Sequence, residues 1–278
     1  MLQIGLYQTL QILRQTSPGL FLGNEEGEEV LLPNKYIPSN FTIGDKIEVF
    51  VYLDFDERIV ATTIRPYITL HEFALLEVKD VSSVGAFMDW GLEKDLFVPF
   101  NEQMNKMRPG KSYLVFLYED VSTGRLVASQ KVRKFLDNEL LTVDEGDEVD
   151  LIISDETDLG VNVIVNGKHL GLIYHDEIFR NLYLGDHLKG YVKKIREDHK
   201  LDISLQKSGY AQVEPNAQLI LDNMHVNKGF LSLNDNSDPE AIKNKLGMSK
   251  KTFKKALGLL YKQKLISLHD DGIRLLPK

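Results

Sequence analysis

The chain has 278 residues, 43% of them hydrophobic, no cysteine, and a formal net charge of −8. This balance describes a folded globular chain rather than a disordered one, and the lack of cysteine excludes disulfides and thiolate metal sites. No run approaches the ~18 apolar residues of a membrane-crossing helix, and MLQIGLYQTLQILRQ lacks a signal peptide's basic start and small-residue cleavage site, so a cytoplasmic location is expected.

One spacing recurs three times along the first two hundred residues. Gly19, Gly85 and Gly160 are each followed 25 residues later by Gly44, Gly110 and Gly185. Pro33, Pro99 and Tyr174 stand 14 residues after the first glycine of each pair. Each copy then runs through an apolar stretch and a charged turn to a basic residue (Arg58, Arg125, Lys200), and closes on IVATT, LVASQ or LDISL. A period of about 70 residues repeated three times marks a tandem array.

The copies read as β. The first has the polar loop GNEEGEEV as its second turn. In the second, EFALLEVKDVSSV, GAFMDW, DLFVPF, KSYLVFLYED and RLVAS are five strand candidates, with Phe87 facing away from Ala86 and Met88. The third repeats the plan through EVDLIISDETD, GVNVIV, an Asn166-Gly167 hairpin turn, HLGLIY, HLKGYVKKIRED and KLDISL. Five short strands, with a connector of loop or one helical turn between the third and fourth, suit a small closed barrel.

The pattern changes after Ser208. QVEPNAQLILDNMHVN places Leu219, Ile220 and Met224 at helical spacing. A short strand FLSL follows. Asp238-Pro239-Glu240 opens a second helix that stops at Gly247. Ser249 caps a third, whose apolar face is Phe253, Ala256, Leu257, Leu260 and Tyr261. LISLHD and GIRLLP form a final hairpin, and this order is that of a winged helix-turn-helix. The expected organisation is three barrels at 1–66, 67–138 and 139–207, then a winged helix at 208–278. Their net charges are −4, −1, −7 and +4, so only the last segment is net basic and suited to a polyanion.

Val84-Gly85-Ala86-Phe87, Leu96-Phe97-Val98-Pro99, Gly110, and Gly124-Arg125-Leu126-Val127-Ala128-Ser129 together resemble the S-one-type RNA-binding domain, an OB-fold barrel. The tail FLSLNDNSDPEAIKNKLGMSKKTFKKALGLLYKQKLISLHDDGIRL resembles the conserved virulence factor B (CvfB) family, in which tandem S-one-type repeats precede a winged helix. The resemblance covers the whole chain and implies a bacterial, cytoplasmic RNA-binding protein that affects gene expression and is not an enzyme. The fold class expected is mostly β, three tandem OB-fold five-stranded barrels, with a C-terminal α+β winged-helix domain.

In the S-one-type family, strand aromatics stack on bases and a basic residue on the last strand meets the backbone. Carried over residue by residue, the first ring is Phe21 and Phe87 but Asn162 in the third copy; the third-strand position is Pro33, Pro99 and Tyr174, so only the third copy keeps a ring there. The ring just before the glycine is absent (Pro18, Val84, Leu159), the turn acid is Asp54 and Asp120 but is replaced by Arg196 in the third copy, and the basic residue is Arg58, Arg125 and Lys200. Lys193, Lys194, Arg196 and Lys200 make a basic hairpin in the acidic third copy. Lys250, Lys251, Lys254 and Lys255 form one stripe on the third helix, suited to phosphate rather than base edges because Arg, Asn and Gln are missing from it.

Single-stranded RNA bound with low sequence specificity is therefore the expected partner, with the third copy and the winged helix making the strongest contacts. The alternatives are a DNA-binding regulator resting on the winged helix, and an adaptor that contacts the ribosome or RNA-processing proteins through acidic barrels. No cofactor, metal or membrane partner is expected. The seven histidines show no metal-binding spacing, and GNEEGEE lacks the Lys-Ser/Thr of a phosphate loop.

Overall fold

The computed structural model describes residues 1–178, 180–206 and 215–276; the boundary expected at 207/208 lies outside the described residues. The chain divides into two compact units, Met1–Leu205 and Gln206–Lys278.

The first unit holds fifteen described strands in three sets of five. The first set is β1 (Tyr7–Thr16), β2 (Gly19–Gly23), β3 (Glu29–Pro33), β4 (Lys46–Leu53) and β5 (Ile59–Thr62), closed in the order β1-β2-β3-β5-β4. The second is β6 (Phe73–Val81), β7 (Gly85–Met88), β8 (Leu96–Pro99), β9 (Ser112–Asp120) and β10 (Arg125–Ser129). The third is β11 (Glu148–Glu156), β12 (Gly160–Val165), β13 (His169–Tyr174), β14 (His187–Ile195) and β15 (Leu201–Ser204), closed like the first. A 3-10 turn follows the third strand each time, at Asn34–Tyr36, Phe100–Glu102 and His175–Glu177. The second set keeps the same neighbours, but β8 and β10 lie side by side without a ladder. Side chains bridge that seam instead. The Glu102 carboxylate accepts from Ser129 Oγ at 2.5 Å and from Lys134 Nζ at 2.5 Å, and its carbonyl accepts from Gln130 N at 2.9 Å.

The 14- and 25-residue spacings have direct physical causes. Gly19, Gly85 and Gly160 pair across the ladder with Pro33, Pro99 and Tyr174. A Cβ at these glycines would lie 2.1, 2.4 and 2.0 Å from the carbonyl oxygens of Leu32, Val98 and Ile173, so no side chain fits. The second glycines turn the chain into the fourth strand with φ of +99°, +71° and +81°. Each donates its N–H to the first strand: Gly44 to Ile12 O, Gly110 to Val78 O and Gly185 to Ile153 O, all at 2.8 Å. Those three acceptors sit where the first strand is bulged against the second. Asn166 and Gly167 both take positive φ, as a tight hairpin turn needs, and Lys168 N donates back to Val165 O.

The barrels of this unit also bury apolar surface against one another. Val49–Tyr52 of β4 and Leu114–Leu117 of β9 are buried on both strand faces, which is why they read as unbroken apolar runs rather than alternating ones. Val49 and Val51 fill the first barrel. Phe50 and Tyr52 instead join the second barrel's core, where each meets the Trp90 ring edge-on, at 5.8 and 6.4 Å between centroids. Phe116 stacks on Phe135 at 4.1 Å and shares a cluster with Ile164 of the third barrel.

The second unit has α1 (Pro215–Val226), β16 (Phe230–Leu231), α2 (Pro239–Leu246), α3 (Lys250–Lys262), β17 (Ile266–His269) and β18 (Gly272–Leu275), with strand order β16-β18-β17. Gly247 ends α2 in the left-handed conformation, and Ser249 Oγ accepts from Thr252 N to cap α3. Ile220, Met224, Phe253, Ala256, Leu257 and Leu260 form its core. Two helical-face expectations are corrected: Leu219 and Tyr261 are exposed, because each lies at the margin of its stripe and turns outward.

Gly160→Ala is expected to cost about 1–3 kcal/mol in urea unfolding, since the strands must part to admit the methyl group. Glu102 supplies a pH test. Burial raises its carboxyl, but the bonds from Lys134 and Ser129 outweigh burial and hold it below the ordinary glutamate value. Its stabilisation is complete above about pH 5 and is lost as acid protonates it. Glu102→Gln is expected to flatten that acid limb and to cost about 1–3 kcal/mol at neutral pH.

Candidate nucleic-acid interface

In the second barrel, β7 and β8 pair antiparallel with Phe87 directly opposite Phe97. Alternation puts Ala86, Met88, Leu96 and Val98 into the core and turns both rings outward, 5.3 Å apart between centroids and inclined by 37°. Phe97 was not among the residues expected to bind. It lies two residues before Pro99 just as Phe87 lies two after Gly85, so the 14-residue pairing was the signal that could have found it.

These rings line a cleft of about 500 Å³ with Phe55, Glu57, Val84 and Arg125; buried Trp90 and Tyr52 also line it. Glu57 belongs to the β4–β5 turn of the first barrel, and its carboxylate is ion-paired with Arg125 Nε at 3.0 Å and accepts from Lys94 Nζ at 3.1 Å. Lys94 Nζ also donates to Asp54 O at 2.7 Å, and Trp90 Nε1 donates to Lys94 O at 2.5 Å. Burial pushes the Tyr52 phenol above its ordinary value, so it stays neutral. The cleft thus combines two outward, half-buried rings with a rim where Arg125 and Lys94 are paired with Glu57 and Asp95 also stands, a surface suited to stacking a base.

The corresponding surfaces of the other two barrels are covered by their own side chains. Over the Phe21 ring lies the Arg14 guanidinium, 4.4 Å from its centroid, itself held by both oxygens of Glu29 at 2.7 and 2.6 Å. Arg58 is clamped by Asp54 at 2.9 and 2.8 Å and by Asp56 at 2.8 Å. Burial raises the Asp54 carboxyl, yet hydrogen bonds from Arg58 and Asp56 bring it below the ordinary aspartate value. In the third barrel Asn162 is 8% exposed and donates to Asp155 at 2.9 Å, while Asp155 also binds Arg133 from the segment after the second barrel. Asn162 lies on the strand face that Ile164, two residues on, buries against the second barrel.

The remaining third-barrel residues are brought together, but around acids. The Tyr174 hydroxyl donates to Asp202 at 3.5 Å, and Arg196 binds the same carboxylate at 2.8 Å with its guanidinium carbon 5.7 Å from the Tyr174 ring. Lys193 pairs with Glu177 and Lys200 with Asp198, while Lys194 is exposed. In the winged unit, Lys251, Lys254 and Lys255 are exposed along α3, and Lys250 is half-buried and reaches Asn236 O at 3.4 Å.

OB-type barrels with an outward ring pair, and a winged helix with a lysine-lined third helix, define a modular nucleic-acid-binding protein. Comparison with known proteins agrees. The S1 domain model matches residues 4–64 and 72–131, and the CvfB-like winged helix domain model matches residues 218–275. Uncharacterized protein YitL of Bacillus subtilis (strain 168) is 31% identical over 93% of this chain and 89% of its own. Conserved virulence factor B of Staphylococcus aureus (strain N315) is 26% identical over 99% and 95%. A solved multidomain protein with nucleic acid binding domains from Streptococcus pneumoniae TIGR4 is 26% identical over 98% of each chain, with a TM-score of 0.45. The chain belongs to the CvfB family. The third barrel lies outside both S1 matches, although its strand order is that of the first.

The account of Asn162 makes a stability prediction. Asn162→Phe, which restores the family's ring, is expected to destabilise the first unit by about 1–3 kcal/mol in urea melts by overpacking a buried site.

Proposed function

We propose that the protein binds single-stranded RNA with little sequence preference and acts after transcription, on transcript stability or translation. The observation that carries this reading is the cross-strand Phe87–Phe97 pair with Arg125 at its rim. Rings standing outward from a rigid sheet stack on any base, which gives affinity without readout. Lysines at 250, 251, 254 and 255 add phosphate contacts that carry no sequence information.

The weight given to the third copy shifts on this geometry. Tyr174 and Arg196 already satisfy one another through Asp202, and Lys193 and Lys200 are paired with acids. Phosphate must displace those acids, so this barrel contributes a weaker, salt-sensitive share.

Phe87→Ala and Phe97→Ala in the full chain are each expected to weaken binding to an unstructured oligoribonucleotide about tenfold or more, the loss of one stacked base. Reversing the charge of Lys250, Lys251, Lys254 and Lys255 together should weaken binding equally across sequences and flatten its dependence on salt. Fluorescence anisotropy at fixed salt measures the losses of affinity, and the same measurement over a salt series gives the slope. Duplex DNA binding tighter than single-stranded RNA would favour a regulator led by the winged helix instead.

A further inference from the structure

The β4–β5 turn of the first barrel has features that its own fold does not need. Phe55 at its tip is 69% exposed, a costly position for a large ring on a turn. The turn itself is rigid: Asp54 N donates to Arg58 O at 3.0 Å, Glu57 N donates to Asp54 O at 3.1 Å, and the Asp54 side chain accepts from the N–H groups of Asp56 and Arg58. Glu57 takes a φ of +60°, an uncommon conformation for this residue, and in it bridges to Arg125 and Lys94 of the second barrel. The turn is thus fastened to the neighbouring barrel, and Phe55 lines the same cleft as Phe87 and Phe97.

We propose that this cleft is a composite pocket for one unstacked base of the bound RNA strand, with the first barrel supplying Phe55 as its third aromatic wall. The inference rests on the RNA-binding reading above and adds that the strand runs from the second barrel's face onto the first barrel's turn. The aromatic lining selects this occupant, because every base offers a π-face to Phe55, Phe87 and Phe97. The rim balances Arg125 and Lys94 against Glu57 and Asp95, and the Arg125 side chain, 58% exposed, is the cation a phosphate can meet beside the rings. The volume, about 500 Å³, lies within the range of about 300–1,000 Å³ typical of sites that enclose a small ring-bearing ligand. Rigid fastening of the turn means that little order is lost when the base enters.

The test uses the full chain with Phe55→Ala, Phe87→Ala, the double variant, and a fluorescein-labelled oligouridylate. Phe55→Ala is expected to weaken binding about five- to tenfold, with an unchanged thermal midpoint because the ring is exposed. Phe55→Trp should restore the affinity. If both rings hold the same base, the double variant should lose less than the product of the single losses. The chain has one tryptophan, Trp90, which lines the cleft, so its emission should change on binding in the wild type and change less in Phe55→Ala. If Phe87→Ala weakens binding and Phe55→Ala leaves both affinity and Trp90 emission unaltered, the composite pocket is overturned while the RNA-binding reading stands. If neither variant affects binding, the RNA-binding reading itself fails, and the pocket with it.

Discussion

Close approach of two backbones, repeated three times, is the constraint on which the first unit depends. The second strand of each barrel passes so near the third-strand carbonyl that only glycine fits, and 14 residues on, the partner position closes the pair. A second glycine then swings the chain back and donates its N–H to the bulged first strand. These two contacts fix the register of the second, third and first strands together. A one-residue slip would turn every core side chain outward. Phe87 and Phe97 face solvent because Ala86, Met88, Leu96 and Val98 must face the core, so the glycine contact that sets register also sets the site.

Equal frames do not give equal surfaces. The fourth strand of the first barrel is buried on one face by its own core and on the other by the second barrel, and the second strand of the third barrel is covered from the second barrel's side. Packing thus decides which barrel keeps an open ring pair. It leaves Asn162 buried where the family has a ring, and it lays the first barrel's turn against the second barrel's cleft. The seam between β8 and β10 is held by Glu102 rather than by a ladder.

Local features were legible in the sequence because their causes are local. The glycine spacing, the Asn166-Gly167 turn, the Ser249 cap and the Gly247 stop each depend on a few neighbouring residues. The family's third-strand ring position falls on Pro99, so matching by position points there, whereas the ring that pairs with Phe87 is Phe97, two residues earlier. Glu57 and Phe55 were invisible for a different reason: they join the site only through the packing of one barrel on another. The runs VFVY and LVFL did carry that information, since a strand without alternation is buried on both faces, but a sequence does not say against what. Leu219 and Tyr261 show the limit of helical periodicity, which marks a stripe well and its margins poorly.

Charge distribution completes the picture. The winged unit presents exposed lysines on α3, and the barrels pair most of the named cations with acids. Stacking on one barrel and phosphate attraction on the winged helix are separable terms, one tolerant of salt and the other steeply dependent on it. Amide hydrogen exchange with and without saturating single-stranded RNA tests the central claim most directly. Slowed exchange over residues 84–99 and the 53–58 turn, with residues 19–33 unchanged, is the predicted result. Protection confined to residues 19–33 or 160–174, with 84–99 unaltered, would contradict it.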